Sequence, residues 1–396
     1  MQKQKVLILS SAASVIEQFN RINIRILKNL NYDVTVLANF KFGNTTSNEK
    51  MEEFFNELID QGINVINFPI PRKINLVLSI KSYFFIKQLI ISNKFSLIHC
   101  HMPVVSMLLR IICLFNSGNK IGKVIYTAHG FHFYKGAPII NWLLFYPIEK
   151  LLSKYTDCLI TINNEDYKRA KKSFKTTKSI VRIDGVGVDT KTYFPLSSKV
   201  EKVDYRKQYG YSENDFIIIS VAEFNKNKNH RLIIEAIKKL VDKIKTIKVL
   251  LVGIGPDLEN IKSDVKKYSL NNYISFLGYR KDIERLLKIS DLFISSSKRE
   301  GLPVSMIEAM ATGLPIIATN NRGHRSLISN LKNGFLVPDN DPVIFSDRIH
   351  DLISSKDKRD VFSLNNINNI NKYSEENIIQ KTRLIYLNMQ KRYVKL

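Results

Sequence analysis

Short apolar runs recur along the chain, separated by longer stretches in which apolar positions return every three or four residues. Val6–Leu9, Val34–Leu37, Asn64–Phe68, Leu97–His99, Val124–Thr127, Cys158–Ile162 and Ser179–Ile183 form a first series of predicted strands. Between them Glu17–Leu30, Glu49–Gln61, Leu76–Ser92, Trp142–Leu152 and Asn164–Ser173 read as helices. A second series, Phe216–Val221, Lys248–Val252, Ile274–Phe276, Leu292–Ile294 and Pro315–Thr319, precedes a turn and strand at Asn333–Val337, a helix from Asp341 and a terminal helix over Glu375–Met389. Strands alternating with helices predict α/β architecture with parallel sheets, and 396 residues are too many for one typical core, so two domains are expected.

The stretch Ser290–Gly323 carries the densest pattern. Leu292, Phe293 and Ile294 lead into a polar turn, the chain becomes helical after Gly301 with Pro303 near the first helical position, Gly313 ends the helix, and Pro315–Thr319 returns as a buried strand. Glu300 precedes this helix and Glu308 lies within it. At ~100° and ~1.5 Å per residue the two carboxylates are separated by about two turns, with the first-turn N–H groups between them as an anion site. Carboxylates accept hydrogen bonds that hydroxyls donate, so a ligand bridging the two has a phosphate between two hydroxyl-rich ends, which describes a nucleotide sugar.

Glu300-Gly301-Leu302-Pro303, Glu308-Ala309-Met310-Ala311, Gly313-Leu314-Pro315 and Gly323 together resemble the donor-binding signature of the family-4 glycosyltransferases, retaining enzymes of the GT-B fold. The resemblance implies two Rossmann-like domains facing across a cleft. It assigns 1–188, with 375–396 returning to it, to acceptor binding, and 189–374 to the nucleotide-sugar donor. The glycine-rich Asp184–Asp189 and Tyr193-Phe194-Pro195 resemble the family's interdomain hinge, and Lys199–Tyr211 reads as a charged lead-in to the second domain. By the same resemblance Glu308 holds the ribose hydroxyls, Glu300 the hydroxyls of the transferred sugar, Gly301, Leu302 and Pro303 the loop beside them, and Lys228 the diphosphate. Gly278-Tyr279-Arg280 resembles the segment whose backbone meets the base. Gly253-Ile254-Gly255-Pro256 is a tight strand-to-helix turn on the donor side, and it lacks the last glycine of a dinucleotide fingerprint.

Two departures stand out. Most members carry arginine where this chain has Glu223, so either Lys226, Arg322 or Arg325 supplies the second positive charge for the diphosphate, or the diphosphate relies on Lys228 and the helix N-terminus. The first turn, Ser10-Ser11-Ala12-Ala13-Ser14, lacks the Gly-Gly pair of many members.

His129 follows the strand Val124–Thr127, at the carboxyl edge where α/β sheets bind ligands. It resembles the histidine that the family sets beside the donor sugar, and the string from His129 through His132 and Trp142 to Glu149 resembles a subgroup that builds bacterial capsule or exopolysaccharide. These likenesses imply a hexosyl- or N-acetylhexosaminyltransferase that uses a UDP-sugar donor and a lipid-linked saccharide acceptor. They imply no metal and no cofactor.

Composition sharpens the partners. The 44% hydrophobic and 24% charged residues are ordinary for a globular chain, but 60 Lys and Arg against 36 Asp and Glu give +24. Gln61 to Ile148 contains no acid, while Arg72, Lys73, Lys81, Lys87, Lys94, Arg110, Lys120, Lys123 and Lys135 are interleaved with aromatics. That pattern suits an anionic membrane surface and predicts a cytoplasmic protein peripheral on the inner face of the membrane. The N-terminus has too short an apolar core for a signal peptide, and Lys81 and Lys87 interrupt Ile74–Ile91, the nearest approach to a spanning run. Cys100, Cys113 and Cys158 show no paired metal-ligand spacing, and His99 and His101 beside Cys100 lack a complementary cluster. Rival readings are a GT-B nucleotide-sugar epimerase, a glycosidase using Glu300 and Glu308, and a basic nucleic-acid binder. No nucleic-acid motif accompanies the charge, and nucleic acid is not expected as a partner.

Overall fold

The computed structural model describes residues 3–73, 75–116, 121–174 and 177–391; Ile74 and Lys120 lie outside them. In one unit β1 (Lys5–Ser10), α1 (Ala13–Phe19), α2 (Arg21–Asn29), β2 (Asp33–Ala38), α3 (Asn48–Asp60), β3 (Asn64–Asn67) and α4 (Leu76–Asn93) are followed by β4 (Leu97–His101), α5 (Pro103–Phe115), β5 (Lys123–Ala128), α6 (Ile139–Leu152), β6 (Cys158–Thr161), α7 (Asn164–Ser173) and β7 (Ser179–Arg182). In the other, α8 (Lys199–Gln208), β8 (Phe216–Val221), α9 (His230–Lys238), β9 (Ile247–Val252), α10 (Leu258–Lys267), β10 (Ile274–Gly278) and α11 (Ile283–Ile289) lead to β11 (Leu292–Ser295), α12 (Val304–Ala311), β12 (Ile316–Thr319), α13 (His324–Leu327), β13 (Gly334–Val337), α14 (Pro342–Ser354) and α15 (Lys356–Asn369). The terminal α16 (Glu375–Lys391) follows. The first unit comprises Met1–Val186 and Ile378–Leu396, the second Gly187–Asn377.

Each unit is built on one parallel sheet, ordered β3-β2-β1-β4-β5-β6-β7 in the first and β10-β9-β8-β11-β12-β13 in the second. Strands buried on both faces need apolar residues at successive positions, and the cores show why. Val6 and Ile8 of β1 enter one cluster with α2 and α3, while Leu7 and Leu9 enter another with α4 and α5. In the second unit Val249 and Leu251 of β9 face one core, and Leu250 and Val252 the other. The strand order reverses between β1 and β4, and again between β8 and β11. At such reversals the connections leave in opposite directions and open a crevice beyond the carboxyl ends of the strands.

Three expectations change. Glu17–Leu30 is two helices, because Asn20 leaves helical geometry at φ −130 and ψ 6, and its side-chain amide bonds the Val15 carbonyl at 3.0 Å. Lys199–Tyr211 contains α8, whose buried face is polar: Arg206 donates to the Ile289 carbonyl at 3.0 Å and to Asp291. The helix α5 had no counterpart in the sequence reading. Val104, Val105, Leu108, Leu109 and Ile112 are all buried in it, so no polar stripe marks its period.

Among the described residues no helix is long and apolar enough to cross a membrane, and no three His, Cys, Asp or Glu side chains converge as metal ligands.

Candidate active site

The carboxyl ends of β8 and β11 supply two loops to the crevice of the second unit. The first, Ala222–Asn229, is shaped by Asn225, whose side-chain oxygen accepts from Asn227 N and Lys228 N, both at 3.0 Å. The second, Ser296–Pro303, is stitched to it: Ser296 Oγ donates to the Lys228 carbonyl at 2.7 Å, and Asn227 Nδ2 to the Arg299 carbonyl at 3.0 Å. These bonds bring Lys228 Nζ to 2.6 Å from Glu300 Oε1, an ion pair whose side chains are 23% and 13% exposed. Burial alone would raise the Glu300 pKa, but Lys228 and His324 outweigh it and the carboxyl is held below its ordinary value.

The end of β12 closes a third side. Arg322 Nε donates to the Glu300 carbonyl at 3.3 Å. A Cβ on Gly323 would sit 2.6 Å from Glu300 Cβ, so glycine there permits the close approach. His324 lies beneath: its Nδ1 meets the Thr319 carbonyl at 2.6 Å, which requires the proton on Nδ1 and leaves Nε2 to accept from Ser295 Oγ at 3.1 Å. Burial drives its pKa down to about 4, so it is neutral at pH 7.

After Gly301 and Leu302 the chain enters α12, with Pro303 at the N-cap rather than inside the first turn. Glu308 is hydrogen-bonded by Tyr193, and burial raises its pKa to about 7 against an ordinary 4.5. Tyr193 is delivered by a turn in which Asp189 accepts from Lys191 N at 2.9 Å and Thr192 Oγ1 at 2.6 Å. That turn is anchored by Val188, which pairs with Ser374.

The structure therefore gathers Lys228, Glu300, Gly301 and Arg322 at the crevice, with Leu302 and Pro303 leading into the helix that carries Glu308. Gly253 follows β9, and a Cβ there would lie 2.1 Å from the Ala222 carbonyl, so the turn it opens packs on the backbone of the Lys228 loop. Glu223 and Lys226 are exposed on that loop. Tyr279 is 59% exposed after β10, and Arg280 is bound in a fork to Asp282 at 2.8 and 2.6 Å. Arg325 bonds the Asn320 carbonyl at 2.9 Å. Tyr193 and His324 were not foreseen as site residues. Tyr193 appeared only within the hinge string, and nothing in its own neighbourhood pairs it with Glu308.

In the first unit His129 follows β5, and its Nε2 is 3.3 Å from Nδ1 of His101, at the end of β4. Burial lowers the pKa of both, so the pair is neutral at pH 7. His99 bonds Tyr386 of α16 and Thr127 of β5, each at 2.8 Å, a link between the terminal helix and the sheet. Phe19, Asn20, Thr127 and His129 line a shallow pocket with Thr382 of α16. His132 instead stacks on Phe145, ring centroids 4.5 Å apart. Among the predicted residues His101 was missed as a partner of His129, since 28 residues separate them in sequence.

Two parallel sheets of seven and six strands, each with a switch-point crevice, define the GT-B fold. HepE of Anabaena, crystallised with UDP, superposes with a TM-score of 0.75 at 18% identity, covering 97% of this chain and 100% of that one. A glycosyltransferase from Rickettsia africae gives 0.76 at 22% identity, with 99% and 100% covered. The family model "Glycosyl transferases group 1" matches residues 201–369, and "Glycosyl transferase 4-like" matches 5–163. The putative glycosyltransferase EpsD of Bacillus subtilis is 42% identical over 268 residues, 67% of this chain and 70% of the relative. The UDP-Gal:alpha-D-GlcNAc-diphosphoundecaprenol alpha-1,3-galactosyltransferase of Escherichia coli is 28% identical over 289 residues, 72% and 73% of the two chains. The chain belongs to this glycosyltransferase family.

Proposed function

We propose that the protein moves a hexose or N-acetylhexosamine from a UDP-sugar to a lipid-linked saccharide, with retention of anomeric configuration, during assembly of a bacterial surface polysaccharide. The observation that carries this reading is the Lys228–Glu300 pair at the crevice. A partly buried cation and a partly buried acid are both satisfied by a ligand that offers an anion to one and hydroxyls to the other, and a sugar diphosphate offers both on adjacent groups. Glu308 takes the ribose hydroxyls. The charge that develops on the leaving diphosphate falls to Lys228, Arg322 and the first-turn amides of α12, with no metal ion, and its stabilisation is the main catalytic term. Arg322 is the cation nearest the role that Glu223 cannot fill, since it already contacts the Glu300 backbone.

From the first unit His129, held neutral, serves transfer as a hydrogen-bonding group for the sugar. The reading of a lipid-linked acceptor is supported by the activity named for the Escherichia coli relative, and the UDP donor by that name and the HepE complex. Such an acceptor stays in a bilayer, so we assign the protein to the inner face of the cell membrane. A thermal-shift panel of nucleotide sugars tests the donor. A UDP-sugar at ~100 times its dissociation constant adds about 2.7 kcal/mol of stability, and a panel in which no UDP-sugar shifts the transition overturns the assignment.

A further inference from the structure

The helices α4 and α6 present apolar side chains to water within a stretch of the chain that has no acid before Glu149. On α6, Ile139 is 76% exposed, Leu143 66% and Leu151 70%, with Ile140, Leu144 and Ile148 beside them. At 100° per residue these six positions occupy one half of the helix; the other half, Trp142, Phe145, Tyr146, Glu149 and Leu152, faces the core. On α4, Leu76, Val77, Ile80, Phe84 and Ile91 form a single exposed stripe opposite buried Ser82, Ile86 and Ile90. The largely buried α5 packs between the two helices, and its Phe115 is 71% exposed. Of the twenty-four exposed large apolar side chains among the described residues, twelve lie between Leu76 and Leu151, which concentrates them in about a fifth of the chain. Contiguous exposed apolar surface of this kind marks an interaction face.

The charges decide the occupant. From Gln61 to Ile148 the sequence has no carboxylate. The first one after it, Glu149, is buried and held in a fork by Arg110 at 2.8 and 3.1 Å. Lys73, Lys81, Lys135, Lys150 and Lys154 are exposed around the apolar faces. We propose that the exposed faces of α4 and α6 insert into the interfacial layer of an anionic lipid bilayer, the lysines meeting the headgroups. A second copy of this chain would bring the same basic rim against itself, so like charges oppose self-pairing on this face. The inference rests on the reading of a lipid-linked acceptor for its purpose, which is to hold the enzyme where that acceptor resides.

The only tryptophan, Trp142, lies on the core-facing half of α6, so Trp142→Phe/Leu143→Trp moves the fluorescent reporter to the exposed half. The full chain is mixed with phosphatidylcholine vesicles, with or without phosphatidylglycerol, that carry bromine on their acyl chains. We expect co-flotation of the wild type with the anionic vesicles, and quenching of the indole fluorescence of Trp142→Phe/Leu143→Trp by them. Leu143→Ser/Leu151→Ser should lower the partition coefficient by about tenfold or more, each leucine losing most of its transfer free energy. Lys73→Gln/Lys81→Gln/Lys150→Gln should make binding much weaker and less sensitive to salt. UDP-sugar affinity, measured on the same variants, should not change. Absence of quenching, equal binding to neutral vesicles, or lipid-free self-association that Leu143→Ser/Leu151→Ser abolishes would each overturn the membrane face. Failure of wild type to bind any UDP-sugar strikes the UDP-sugar donor assignment instead.

Discussion

Glu308 offers a test of donor binding that needs no acceptor. Its carboxyl is hydrogen-bonded by Tyr193, and burial raises its pKa to about 7 from an ordinary 4.5. A group whose folded-state pKa lies above its unfolded value contributes stability that is complete below about 4.5 and is lost as pH rises through about 7. The unliganded protein should therefore be less stable at pH 8 than at pH 6 on account of this residue. Ribose hydroxyls donate to the ionised form, so binding runs the other way. If only the ionised form binds, the competent fraction rises from about one in ten at pH 6 to about nine in ten at pH 8, and donor affinity should increase about tenfold. A UDP-sugar is the suitable probe, because its diphosphate diester does not titrate in this window. Isothermal titration in two buffers of different ionisation enthalpy should show close to one proton released per donor bound at pH 6 and almost none at pH 8. Glu308→Gln should flatten the pH profile, weaken binding roughly ten- to hundredfold at pH 8, and raise the melting temperature of the free protein there. A wild-type affinity independent of pH, or the same profile in Glu308→Gln, refutes the reasoning.

Lys228→Ala leaves Glu300 buried without its cation, so donor affinity should fall roughly ten- to hundredfold by titration calorimetry and the Glu300 pKa should rise. Gly323→Ala sets a methyl 2.6 Å from Glu300 Cβ; we expect about 1–3 kcal/mol of destabilisation in denaturant melts and a loss of turnover larger than the loss of nucleotide affinity. Arg110→Leu strands Glu149 and should cost about 3–5 kcal/mol, whereas Arg110→Leu/Glu149→Leu should recover most of it, as equilibrium unfolding will show. His129→Ala should fold normally by circular dichroism and lose most transferase activity at saturating donor, while His132→Ala, whose ring packs on Phe145, should lose less.

Much of this architecture was legible in the chain because a parallel strand covered on both faces has to be apolar at consecutive positions, and Val6–Leu9 or Lys248–Val252 cannot be read as anything much else. Glu300 and Glu308 were legible for a local reason: loop, helix start and helix body are consecutive, so their spacing fixes their relation. Tyr193 and His324 were not, since a turn before β8 and the loop after β12 reach the site only through the sheet order β8-β11-β12. The same holds for His101 and His129, joined by the adjacency of β4 and β5. The helix α5 is not legible because a largely buried, apolar helix has no polar stripe to set its period. The bare faces of α4 and α6 are a related case. An apolar helix reads alike whether its second face is packed or exposed, so the acid-free composition pointed to the region but not to the residues that reach water.

The central claim is that the crevice around Lys228, Glu300 and Glu308 is a donor site for sugar transfer. It is tested most directly by incubating the protein with a UDP-sugar and a diphosphopolyprenyl-linked saccharide and weighing the lipid-linked product by mass spectrometry. The account predicts one added hexose or N-acetylhexosamine and one equivalent of UDP released per acceptor, unchanged by EDTA and lost in Glu300→Gln. Release of free sugar without acceptor extension, or full product formation by Glu300→Gln, would contradict it.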